Sequence, residues 1–66
     1  MTAGERIKDL RLDKRLTQQK VADYLGINRP NYSKYEAGKL EFNHDMLIKL
    51  AKLFNVRTDY ILGLED

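Results

Sequence analysis

The sequence predicts an all-α fold, a compact bundle of five helices. Three observations predict it. Apolar residues recur at three- and four-residue intervals, and strand-like alternation is not sustained beyond five residues. Side chains that cap helices stand where such intervals begin, and glycines stand where they end. The 66 residues suffice for one small domain, 1–66, and the 42% of apolar residues suffice for its core.

The elements follow in order. Thr2 lies three residues before Glu5, the spacing of a capping box, so a first helix opens there. Ile7 and Leu10 continue it, and it is expected to run to about Arg15. Thr17 caps a second helix with Val21, Ala22 and Leu25 on one stripe, and Gly26 ends it. A third helix starts at Asn28 or Arg29. Asn28 suits the cap by side-chain chemistry. Pro30 prefers the first helical position and disfavours helical geometry just before it, which favours Arg29. This helix continues through Tyr32 and Tyr35 to about Ala37, and Gly38 stops it. Asn43 caps a fourth, with Asp45 near the positive end of its dipole. Leu47, Ile48, Leu50, Ala51, Leu53 and Phe54 give it a wide apolar face, so it is expected to be the most buried element. Thr58 caps a last short helix holding Tyr60, Ile61 and Leu62, and Gly63 ends it.

Composition excludes several function classes. There is no cysteine, so disulfides and thiolate metal sites are out, and a single histidine, His44, makes no metal cluster. His44 is expected to face solvent. No apolar run is long enough to span a membrane, and Met1-Thr2-Ala3-Gly4-Glu5 lacks a signal peptide's apolar stretch. The expectation is a soluble, cytoplasmic domain with no cofactor. Asp9 and Asp13, four apart, have the spacing of paired carboxylates, but basic neighbours on an outer helix face mark them as solvated. With no nucleophile–base pair and no glycine-rich phosphate loop, an enzyme is the poorest reading. Charge is unevenly spread: residues 1–39 carry net +4 and residues 40–66 net −2. Such a split fits a polyanion partner, although an ordinary solvated helix face carries as much.

The sharpest feature is a helix, a tight turn at Gly26, and a second helix over residues 17–37, the layout of a helix-turn-helix. Ala22 is small where the helices must cross, and Ile27 can plug the corner. Tyr32 and Tyr35, three apart, can share an inward face, which favours core packing over a stacking platform for single strands. Arg29, Pro30, Asn31, Ser33 and Lys34 are left outward, and arginine, asparagine and lysine suit base edges and phosphates.

These residues resemble the Cro/CI-like helix-turn-helix family of phage and bacterial repressors, also called the Xre family. The match is carried by Glu5-Arg6-Ile7-Lys8 with Leu10-Arg11, Leu16-Thr17-Gln18, Val21-Ala22 and Leu25-Gly26-Ile27. It continues through Ser33 to Lys39, Leu47 to Ala51, Asn55-Val56 and Asp59 to Gly63, nearly the whole chain. The resemblance implies a lambda-repressor-like DNA-binding domain and a double-stranded operator as partner. It implies that Thr17 and Gln18 meet a phosphate, with Gln18 bracing the recognition helix. It places Arg29, Pro30 and Lys34 at base edges. It places Asn28, Asn31 and Ser33 at flanking positions, and Lys39 where backbone approaches DNA. It pairs Arg11 with Glu36 across the first and third helices. Lys20 departs from the family by standing where an acid is usual, Pro30 by offering no hydrogen bond, and Phe42 by standing where proline is common.

A dimer is expected, because one recognition helix reads only a few base pairs and two half-sites give usable specificity. Tyr60, Leu62 and Leu64 are the expected interface, in the region where the family pairs. The principal expectation is a sequence-specific transcriptional regulator, a repressor, binding a palindromic operator. The alternative is an antitoxin or repressor antagonist using the fold mainly on a protein partner. A complete small regulator and the DNA-binding domain of a longer repressor both fit this length.

Overall fold

The computed structural model describes residues 1–64, which form α1 (Ala3–Asp13), α2 (Gln18–Leu25), α3 (Arg29–Glu36), α4 (His44–Phe54) and α5 (Thr58–Leu62). Helix starts follow from side-chain oxygens placed to accept orphan first-turn amides. Thr2 Oγ1 accepts from the Glu5 amide at 3.1 Å and Glu5 Oε1 accepts from the Thr2 amide at 2.9 Å, closing the expected capping box. Thr17 caps α2 through the Lys20 amide, and Asn43 caps α4 through the Met46 amide.

The structure decides one start that the sequence leaves open and shifts another by a residue. Asn28, not Arg29, caps α3, its Oδ1 accepting from the Asn31 amide at 2.8 Å. Pro30 therefore takes the second helical position, where a missing N–H removes no intrahelical bond. Thr58 is the first residue of α5 and not its cap. The extended residue before it is Arg57, whose carbonyl receives the Tyr60 and Ile61 amides.

Helix ends turn on left-handed residues. Gly26, at φ 75°, ends α2 and lets the Ile27 amide reach back to the Ala22 carbonyl. Arg15 (φ 58°) and Asn55 (φ 54°) do the same for α1 and α4 without glycine. Hence α1 stops at Asp13, short of Arg15, and the Leu16 amide bonds the Arg11 carbonyl. Leu16, Ile27 and Val56, each following a left-handed residue, pack on the core.

The core gathers Ile7, Val21, Ala22, Leu25, Tyr32, Met46, Leu47, Leu50, Phe54 and Ile61. Ile48 is not among them; it sits about 200° round the helix from Leu50 and is 37% exposed. Tyr32 is fully buried, and Tyr35 packs its ring on Phe42, with centroids 5.3 Å apart. Helix α1 packs on α3, α4 and α5, while α2 packs on α3. No helix among the described residues is long and apolar enough to cross a membrane.

The α1–α3 crossing is tight. Gly4 is buried, and a Cβ placed on it would lie 2.7 Å from the Tyr35 carbonyl oxygen and collide with the Glu36 carbonyl. Alanine favours a helix by about 1 kcal/mol over glycine. Here the clash with backbone should reverse the sign, so Gly4→Ala should cost about 1–3 kcal/mol. In a thermal melt that is a drop of about 4 °C or more. An unchanged or raised midpoint would show that the two helices do not meet this closely.

Candidate nucleic-acid interface

The candidate surface is built on α3. Its inner side is fixed by Tyr32 and Glu36, both buried, so the helix cannot roll. Its outer side presents Arg29, Pro30, Asn31 and Lys34 in the open, with Ser33 half-buried at the edge. Asn28 is exposed at the start of α3, Thr17 at the start of α2, and Lys39 just beyond Gly38. The α2–turn–α3 corner thus carries most of the residues expected to meet DNA, while Lys39 follows it.

Beneath this corner lies a buried polar cluster. The Glu36 carboxylate receives four hydrogen bonds. Arg11 donates twice, from Nε at 2.8 Å and from Nη2 at 3.1 Å. Tyr32 donates its hydroxyl at 2.6 Å, and Gln18 donates from Nε2 at 3.2 Å. Arg11 also donates from Nη1 to the Leu16 carbonyl at 2.9 Å. Arg11 and Glu36 are 7% and 6% exposed, so the expected pair is a buried ion pair. Burial alone would push the Glu36 carboxyl up. The bonds from Arg11, Tyr32 and Gln18 outweigh it and hold the group below the ordinary glutamate value. The bond to Glu36 likewise holds the Arg11 guanidinium above its ordinary value, and burial pushes the Tyr32 hydroxyl up.

Gln18 connects this cluster to the outer surface. Its amide nitrogen faces Glu36, and its Oε1 accepts a long, 3.4 Å hydrogen bond from Arg29 Nη1. The caps retain spare capacity. Asn28 uses its oxygen on the Asn31 amide, which leaves its NH₂ free to donate. Thr17 accepts from the Lys20 amide, which leaves its hydroxyl proton free.

A family model for the helix-turn-helix (HTH_3) matches residues 7–61, most of the chain. The chain belongs to the Cro/CI-like helix-turn-helix family. The SPbeta prophage-derived HTH-type transcriptional regulator YonR of Bacillus subtilis (strain 168) is 48% identical over 59 residues, covering 89% of this chain and 55% of YonR. The HTH-type transcriptional regulator ImmR of the same organism is 39% identical over 66 residues, covering all of this chain and 52% of ImmR. The chain thus spans about half the length of these relatives. Among solved structures, the P22 c2 repressor protein in complex with a synthetic operator superposes with a TM-score of 0.88 at 26% identity, covering 98% of each chain. These similarities are to regulators and not to enzymes.

The expected dimer residues lie on α5 and just after it. Leu62 is 48% exposed and Leu64 73% exposed, whereas Tyr60 is half-buried beneath the Arg6 guanidinium, 5.2 Å from its ring centre. Arg6 and Tyr60 thus join α1 to α5. The sequence reading missed Lys8, which with Gln18, Ser33 and Glu36 lines a small cleft where α1, α2 and α3 meet. It reads as an ordinary surface lysine, and only the packing of α1 on α3 brings it beside Gln18.

Because the folded Glu36 carboxyl sits below its ordinary 4.5, the cluster's contribution is complete above that pH and is lost as pH falls through the folded value. Urea unfolding of the parent should weaken steadily on that acid limb. Glu36→Gln leaves Arg11 buried without its counter-charge and should cost about 3–5 kcal/mol at neutral pH. That limb should also flatten in the variant. A variant with the parent's stability at neutral pH, or the parent's full acid limb, would contradict this account of Glu36.

Proposed function

We propose that this domain is a sequence-specific, double-stranded DNA-binding regulator, a repressor, which lays α3 in the major groove. The observation that carries the reading is the two-sided construction of α3. Its inner side is locked by the Glu36 cluster, and its outer side offers Arg29, Pro30, Asn31 and Lys34 to solvent. A rigid helix with exposed forked and amide donors suits readout of base edges. The P22 c2 repressor was solved on a synthetic operator, and the close superposition supports the same docking for this chain.

The roles divide by chemistry. The Arg29 fork suits the two major-groove acceptors of guanine, and Asn31 and Lys34 flank it. The Pro30 ring can give only apolar contact, such as to a thymine methyl. Thr17 and Gln18, in the first turn of α2, suit a backbone phosphate, where orphan amides also point. Asn28, Ser33 and Lys39 serve the flanking sugar-phosphate. Such work belongs in the cytoplasm, with the chromosome.

Two copies on a palindrome follow from the geometry of half-sites. The exposed Leu62 and Leu64, beside Tyr60, are the patch proposed to meet its own copy across the axis. A cleft of about 410 Å³ adjoins it, lined by Leu62 with Leu40, Phe42 and Leu47.

Arg29→Ala should weaken binding to a selected operator by about 1–3 kcal/mol and change scrambled-duplex binding less. Selection from a random duplex pool supplies the operator, and titration of both duplexes reads the difference. An equal loss on both would reduce Arg29 to a phosphate contact, and no enrichment for the parent would overturn the DNA reading itself.

The dimer has its own test. Leu64→Glu should raise the dimer dissociation constant about tenfold or more, with helical content unchanged, since Leu64 is outside the core. Sedimentation over a concentration series reads it. The dimer proposal fails if the parent stays monomeric at high concentration and binds a palindrome no more tightly than a half-site.

A further inference from the structure

The cleft between α1, α2 and α3 contains one cation, Lys8, beside Gln18, Ser33, Glu36 and Ala37. Lysine next to a carboxylate ordinarily forms an ion pair. Here Lys8 forms none among the described residues, although Glu36 shares its cleft. The reason lies in the buried cluster. Each Glu36 oxygen already accepts two hydrogen bonds, Oε2 from Arg11 and Tyr32, and Oε1 from Arg11 and Gln18. Its charge is neutralised by the paired Arg11. Glu36 has no free lone pair to offer and its pair with Arg11 is net neutral, so Lys8 keeps its own charge for an outside anion.

We infer that this cleft seats a backbone phosphate of the duplex, with Lys8 on α1 as its charged contact and Gln18 and Ser33 as hydrogen-bonding neighbours. The inference rests on the DNA reading proposed above and extends the contact surface to a third helix. Lys8 comes from an element outside the helix-turn-helix. A phosphate held there would join α1 directly to the duplex and fix how α3 sits in the groove. Lysine suits the task, since a compact point charge on a flexible stem tolerates any phosphate orientation and carries no base information.

The experiment compares the parent, Lys8→Gln, Lys8→Arg and a control, Lys52→Gln, on operator and scrambled duplex across a salt series. Lys52 is exposed in the last turn of α4. Lys8→Gln should reduce the slope of log affinity against log salt by about one unit. Equivalently, the loss of affinity between about 50 and about 200 mM salt should shrink about 3.5-fold. Both duplexes should weaken by the same factor, Lys8→Arg should restore the slope, and Lys52→Gln should leave it unchanged. Lys8 is exposed, so the variant keeps its fold, which a thermal melt verifies. A parental slope and affinity in Lys8→Gln overturn the inference while the DNA reading stands. A shift in base preference overturns it too, because a phosphate contact cannot cause one. Parent binding to neither duplex overturns the DNA reading instead. In a separate arm, inorganic phosphate is titrated against parent and Lys8→Gln by amide chemical shifts. Lys8-dependent saturation with free phosphate, joined to a parental duplex slope, would assign the cleft to a free anion and overturn the duplex assignment.

Discussion

The rest of the structure depends on one carboxylate. Glu36 closes the last turn of α3 and receives donors from α1, α2 and α3 itself. A buried charge is tolerated only when paired and fully hydrogen-bonded, so its demand for donors fixes where three helices can sit. Such a pair is weak evidence for net stability, since well-packed apolar residues often do as well. What it specifies here is geometry. Apolar side chains could fill the same volume in several rotations of α3, whereas two bonds from one guanidinium accept one orientation. Gly4 reinforces this, because it brings α1 against the backbone of the same turn of α3. Side-chain charge and backbone contact thus act at one place, leaving the outer side of α3 little freedom to reorient.

The placement of Gln18 follows from the same carboxylate. An ionised Glu36 can only accept, so the amide nitrogen of Gln18 must face it. The Gln18 oxygen is then turned outward, toward Arg29. An exposed arginine otherwise samples many rotamers, and ordering it on a ligand costs entropy. A single long bond restrains it only slightly, yet it connects the most buried charge of the fold to the side chain best suited to read a base. The caps show similar economy of groups: Thr17 and Asn28 each stabilise a helix with one atom and keep a proton free for a partner.

Much of this was legible in the sequence because it is local. Capping oxygens, left-handed glycines and the 17–37 unit are patterns within a few residues, and each appears within a residue or so of where it was read. The misses have physical causes. Arg15 and Asn55 end helices in a left-handed conformation that no glycine announces, so α1 was read too long. The start of α3 is not a miss but a choice left open between Asn28 and Arg29: proline is equally tolerated one position later, and the Asn28 oxygen decides. Thr58 looked like a cap, yet an extended Arg57 starts the turn with its carbonyl alone. Ile48 belonged to an apolar run too wide for the face that packs. Gly4 and Lys8 were missed for a different reason. Their importance lies in the approach of α1 to α3, a relation between distant residues that carries no local signature. Arg11 and Glu36, 25 residues apart, were paired only through a family resemblance, and spacing alone would not have joined them.

The division of labour also explains the uneven charge. Net positive charge lies in residues 1–39, which hold α1, α2 and α3, while the net negative charge of residues 40–66 comes from Glu65 and Asp66, outside the described residues. A uniformly basic domain of this size would be attracted to DNA in any orientation. An uneven charge instead favours one approach, because a polyanion attracts the net-positive stretch that holds α1 to α3 more than residues 40–64, whose charges balance. In the proposed docking the first half would bring α3 and the Lys8 cleft to the duplex, while the second half holds the exposed Leu62 and Leu64. That arrangement suits a weak self-association completed on DNA. If two copies pair as proposed, those held on adjacent half-sites would meet at high effective concentration, so a small apolar patch would suffice. A larger patch would associate free chains regardless of DNA, and the coupling between occupancy and pairing would be lost.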